Sequence, residues 1–107
     1  MKVLLDESVD VEFRHEVVGH DVYTVTYMRW NGLKNGALLA QAAAHGFDAL
    51  VTTDRNIPHQ QNVGALPCAV VIIMARSNDL ADLKVLVPNL LGALSKLTPR
   101  SVVHVRT

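Results

Sequence analysis

Ala49-Leu50-Val51-Thr52-Thr53-Asp54 is an apolar run closed by an acid, and Val3-Leu4-Leu5-Asp6-Glu7 near the start of the chain repeats the pattern. Short runs that are apolar on both faces suit strands buried between two layers, the environment of a parallel sheet. Asp21 to Val25 reads as a further strand, Ala69 to Met74 as the fourth, and Ser101 to Val105 as the last. Between them the spacing turns helical. Val11 to Val18 carries apolar residues at 11, 13, 17 and 18 and ends at Gly19. After a loop from Arg29 to Gly36, in which Asn35 is the expected N-cap, Leu38, Leu39, Ala42 and Ala43 form the stripe of a second helix, which stops at Gly46. Ser77 to Leu97 is helical again, with Pro88 starting a second helix at a first-turn position. Alternation of this kind predicts one α/β domain over residues 1–107, a parallel sheet with helices on both faces.

The totals set bounds on function. The chain has 107 residues, half of them apolar, and no formal net charge. A neutral chain does not coat nucleic acid through bulk charge, although local contacts stay open. The single cysteine, Cys68, lies in an apolar run and is expected to be a buried thiol, which suits a reducing compartment. With no leader pattern and no apolar stretch near the roughly 20 residues of a membrane span, a cytoplasmic protein without membrane contact is expected.

Ligand sites in open parallel sheets form beyond the carboxyl ends of the strands. Asp6 and Glu7 end one strand and Asp54 another, so neighbouring strands would bring these acids to one edge. Carboxylates gathered there repel one another, and a hard cation offsets that repulsion. Oxygen ligands alone favour Mg²⁺ or Mn²⁺, which would hold a phosphate and activate water for in-line attack. Asp10, Glu12 and Glu16 are assigned to the solvated face of the first helix. The loop Asp54-Arg55-Asn56-Ile57-Pro58-His59-Gln60-Gln61-Asn62 offers Arg55, Asn56 and His59 as substrate contacts. Arg29 and Trp30 would add a cation and a stacking ring. The five histidines have no metal-ligand spacing, and no Walker loop, dinucleotide fingerprint or nucleophile elbow is present.

Leu4-Leu5-Asp6-Glu7, Gly19-His20-Asp21-Val22, Gly32-Leu33-Lys34-Asn35-Gly36 and Val51-Thr52-Thr53-Asp54-Arg55-Asn56 follow one another in an order that resembles the PIN-like proteins of the DUF5615 family. The resemblance spans nearly the whole chain. It implies a PIN-like fold and a metal-dependent ribonuclease of the toxin–antitoxin type, with RNA as substrate and an antitoxin protein as partner. Asp6 and Asp54 would be metal ligands, Glu7 a supporting acid, and Lys34 or Arg55 would steady the phosphate. The chain departs from this pattern at Ala37, where a glutamate is expected directly after Lys34-Asn35-Gly36, and at Asn56, where many PIN-like chains carry a further acid. Asp48 comes too late to replace the missing one. At most three carboxylates remain, so weak or absent activity is expected, whether the alanine is native or replaces an acid.

Two other functions compete. A receiver-type phosphoacceptor domain also has an Asp-Glu pair after strand one, an Asp after strand three and, at Ser77, a hydroxyl after strand four. It needs a lysine after strand five, where this chain has Arg106-Thr107. A catalytically dead module that binds an antitoxin or a second copy of itself is the third reading. It rests on the segment Leu80 to Leu97, richer in apolar residues than one buried face needs.

Overall fold

The computed structural model describes all 107 residues. Strands β1 (Lys2–Leu5), β2 (Asp21–Thr24), β3 (Ala49–Thr52), β4 (Ala69–Ile73) and β5 (Val102–Val105) form one parallel sheet in the order β2-β1-β3-β4-β5. Every residue of β3 and β4 is buried, as their unbroken apolar runs require. Alternate side chains enter two separate cores. On one face Val3, Leu5, Val51, Val71 and Ile73 meet a 3₁₀ helix (Val11–Glu16) through Phe13, and helices α4 (Leu80–Lys84) and α5 (Val87–Ser95) through Leu83, Leu86, Leu90 and Leu94. On the other face Leu4, Leu50, Val70 and Ile72 meet α1 (Val25–Met28), α2 (Asn35–Ala44) and α3 (Ile57–Gln60). The expected three layers are present.

Local chemistry corrects several expected boundaries. The first helix is 3₁₀ rather than α and ends at Glu16, and Asp10, assigned to its solvated face, caps it by accepting from the Glu12 N–H at 2.9 Å. Val25 leaves the second strand because the Thr24 hydroxyl accepts the Tyr27 N–H at 3.0 Å and opens α1. That helix lay unseen among residues of strand propensity, and it ends at Arg29 in the left-handed region (φ 61°). Lys34, not Asn35, is the N-cap of α2. Pro88 sits in the first turn of α5 as expected.

The apolar surplus of Leu80 to Leu97 is absorbed by the core, against which Leu80, Val87, Leu91 and Leu97 pack partly buried. Only Val85 stands well exposed there. No helix is long and apolar enough to cross a membrane.

The crossovers follow an uneven course. The β1-to-β2 connection moves outward over the first face, and the β2-to-β3 connection returns over the second. Opposite directions on opposite faces give the same hand. The β3-to-β4 connection stays on the second face through Ile57 and Leu66. The β4-to-β5 connection moves the same way but over the first face, beneath α4 and α5. One crossover in four therefore has the opposite hand, although parallel crossovers are nearly always right-handed.

The amino end of the sheet is fastened by Lys2. Its ammonium donates to the His45 carbonyl at 2.7 Å, closing the C-terminus of α2, and lies 4.5 Å from the Phe47 ring centroid. Asp48 lies at this same end and accepts the Lys2 backbone N–H at 2.8 Å. Trp30 packs edge-on against His45 at 4.9 Å and Phe47 at 6.0 Å, so its ring anchors its own loop at this end of the sheet.

Burial pushes the Cys68 thiol up to about 11, and the Asp48 carboxylate adds to the rise. The folded chain therefore keeps a proton that the unfolded chain releases from about pH 9. The resulting stability is full below pH 9 and is lost as pH rises towards 11. Urea unfolding across that range is expected to lose about 1–2 kcal/mol more in the natural chain than in Cys68→Ala.

Candidate active site at the carboxyl edge

β1 lies directly beside β3, with Leu5 opposite Val51, and the Asp6 N–H continues the ladder to the Val51 carbonyl at 2.9 Å. The acids that follow these two strands therefore leave the sheet at the same edge. The residue that joins them is Thr52, the last of β3 and fully buried. Its hydroxyl donates to Asp6 Oδ2 at 2.8 Å and accepts the Asp54 backbone N–H at 3.0 Å. Ser8 adds a second donor to Asp6 Oδ2 at 2.9 Å, while its oxygen accepts the Thr53 N–H at 3.2 Å. Two hydroxyl donors on one oxygen suit a carboxylate, which only accepts.

Asp54 is held from both sides. Its Oδ1 accepts the Asn56 N–H at 2.9 Å, a turn-forming bond within its own loop. Its Oδ2 accepts from the Asn35 side-chain amide at 3.1 Å, and the same nitrogen lies 3.1 Å from Gln60 Oε1. Asn35, expected to cap α2, instead ties the first turn of that helix to the loop after β3. Gly36, next in that turn, lies against the Gln61 side chain, where a Cβ would stand at an ordinary contact distance of 3.4 Å.

The structure sorts the remaining candidates. Glu7 is exposed and accepts the Gly32 N–H at 2.8 Å, so it fastens the loop before α2. Gly32 has φ +84°, a conformation that a side chain would strain. Arg55 donates to the Ala75 carbonyl at 3.1 Å, which directs it along the edge towards β4. Lys34, at the start of α2, and His59, on α3, are exposed. Ala37 lies exposed in the first turn of α2, where a carboxylate would also be favoured by the helix dipole.

No family model, curated protein or solved structure matches the chain. The geometry has to carry the argument.

No three acidic, histidine or cysteine side chains converge closely enough to hold a metal ion. What the edge does offer is carboxylate oxygen: Asp6, held by the Thr52 and Ser8 hydroxyls, and Asp54, held by the Asn56 N–H and the Asn35 amide. That donor chemistry suits a hard cation held through one or two carboxylates and keeping much of its water, as Mg²⁺ does. Thr52, Ser8, Asn35 and Gln60 were not among the site residues expected from the sequence. The available signal was the hydroxyl two residues after Asp6 and the hydroxyl two residues before Asp54, the spacing at which side chains bond local backbone.

Replacing Thr52 by valine keeps its volume but strips a donor from Asp6 and leaves the Asp54 N–H unpaired. Thr52→Val is expected to cost about 1–3 kcal/mol in urea unfolding. Thr52→Ser should recover most of that loss.

Proposed function

We propose that the chain is a metal-dependent endoribonuclease of the PIN-like, toxin–antitoxin type, with its activity reduced by Ala37. The observation that carries this reading is the pairing of Asp6 and Asp54 at one sheet edge through the Thr52 hydroxyl. The residue order that resembles DUF5615 proteins adds to it. Asp6 and Asp54 would hold Mg²⁺ or Mn²⁺, which when bound offsets the charge of the phosphodiester and makes water nucleophilic near neutral pH.

The chain's own residues do the rest. Thr52 and Ser8 fix the Asp6 carboxylate, and Asn35 fixes that of Asp54, so neither reorganises when a phosphate arrives. Lys34, Arg55, Asn56 and His59 flank the acids and would meet the RNA backbone. Glu7 supports them by holding the Gly32 turn. A cytoplasmic location, an antitoxin partner and self-association belong to the same reading.

The receiver-type alternative is favoured by one observation, the strand order β2-β1-β3-β4-β5. Against it stand Arg106, directly after β5 where a receiver has its lysine, and the engagement of both Asp54 carboxylate oxygens.

The test is cleavage of end-labelled RNAs with Mg²⁺ or Mn²⁺ by the natural chain, Ala37→Glu, and Ala37→Glu combined with Asp6→Asn. Cleavage should rise in the single variant and fall at least about 100-fold in the double variant. Cleavage that survives Asp6→Asn unchanged refutes the assignment. Absence of cleavage by all three transfers the weight to a binding module.

A further inference from the structure

β2 is an edge strand, paired only with β1. The Asp21 N–H bonds to the Met1 carbonyl on the β1 side. Residues of a parallel strand turn their backbone groups to alternate sides, so Val22 N–H and C=O, and Thr24 N–H, face away from the sheet. Exposed edges are usually blunted by lysine, proline or a bulge. β2 has none of these; its protection is its length of four residues and one charge, Asp21, at its amino end.

A cavity of about 450 Å³ opens beside this edge, lined by Val11, Arg14, Val22, Tyr23, Thr24 and Tyr27 among others. Large apolar groups gather here: Tyr27 is 72% exposed and Val11 41%. The Tyr23 and Tyr27 ring centroids lie 5.7 Å apart, tilted by 45°. At the rim Arg14 donates to the Val11 carbonyl at 2.9 Å and stands 3.8 Å from a Glu12 carboxylate oxygen, a loose pairing on the surface.

We propose that the outer edge of β2 accepts an extended segment of a partner protein as a sixth strand, with one apolar or aromatic side chain in the Val11–Tyr27 cavity and a neighbouring carboxylate facing Arg14. Strand addition combines main-chain hydrogen bonds for affinity with side-chain pockets at alternate positions for specificity. Both elements stand side by side here. A peptide favours this edge over a nucleobase because the outward groups run along the strand, in the spacing of a second backbone. The proposal stands apart from the nuclease reading, since it uses neither Asp6, Asp54 nor Ala37.

Selection of a random-peptide phage library on the immobilised chain, followed by amide NMR with the enriched peptides, tests it. Enriched peptides should alternate apolar and polar residues and carry an acid. They should perturb the Val22, Thr24 and Tyr27 amides and slow hydrogen exchange at Val22. Tyr27→Ala and Arg14→Glu should each weaken the best peptide at least tenfold with an unchanged melting temperature, whereas Tyr27→Phe should retain binding. No enrichment, or perturbation confined to other residues, overturns the proposal. So does a dimer of the chain alone that Tyr27→Ala dissolves, which makes a second copy the occupant. A short single-stranded RNA that perturbs the same amides, when the peptides do not, assigns the edge to nucleic acid instead.

Discussion

The carboxyl edge depends on one buried hydroxyl shared between two strands. Thr52 closes β3 in a sheet covered on both faces, where its oxygen has no access to water and must find partners within the protein. It finds the Asp6 carboxylate from the adjacent strand and the Asp54 N–H two residues on. The bond to Asp6 holds that carboxylate over the β1–β3 boundary, and the bond from the Asp54 N–H fixes the turn by which the chain leaves the same edge. Ser8 and Asn35 then fix what Thr52 has brought together. A polar group that needs satisfying thus becomes the means by which two distant acids are oriented.

The two ends of the sheet are built on different principles. At the amino end an ammonium, an aromatic ring and the last carbonyls of a helix satisfy one another, and the Asp48 carboxylate is spent on backbone hydrogen bonding. At the carboxyl end acids sit among neutral donors with no cation in contact: the ion pairs of the chain are confined to Glu12 with Arg14 and His15. The first arrangement is electrostatically closed. The second carries acids with no ion pair of their own.

The strands were legible because burial on both faces leaves an unambiguous mark, an apolar run without alternation. The same mark, ended by Asp6 and by Asp54, exposed the candidate edge. Helices shorter than two turns were hidden, since α1 is built from Val25, Thr26, Tyr27 and Met28 and owes its existence to a hydroxyl cap. Trp30 looked like a stacking ring because a sequence does not reveal that His45 and Phe47 come to lie against it. Glu7 was grouped with Asp6 by adjacency, but successive residues after a strand diverge, and Glu7 turns to Gly32. Hydrogen-bond partners distant in sequence, such as Asn35 and Asp54, leave no periodic trace.

The reversed hand of the last crossover bears on which parts of the chain supply the edge and which the core. All the hydrogen-bond partners of the Asp6 and Asp54 carboxylates, from Ser8 to Asn56, precede β4 in the chain. α4 and α5 must wrap back over a face that the 3₁₀ helix already shares, so they complete a core begun by Phe13 and Val17. The edge and the core beneath it are therefore supplied by different parts of the chain. The C-terminal third acts as a clasp on the face beneath the acids and lends them no hydrogen bond of its own.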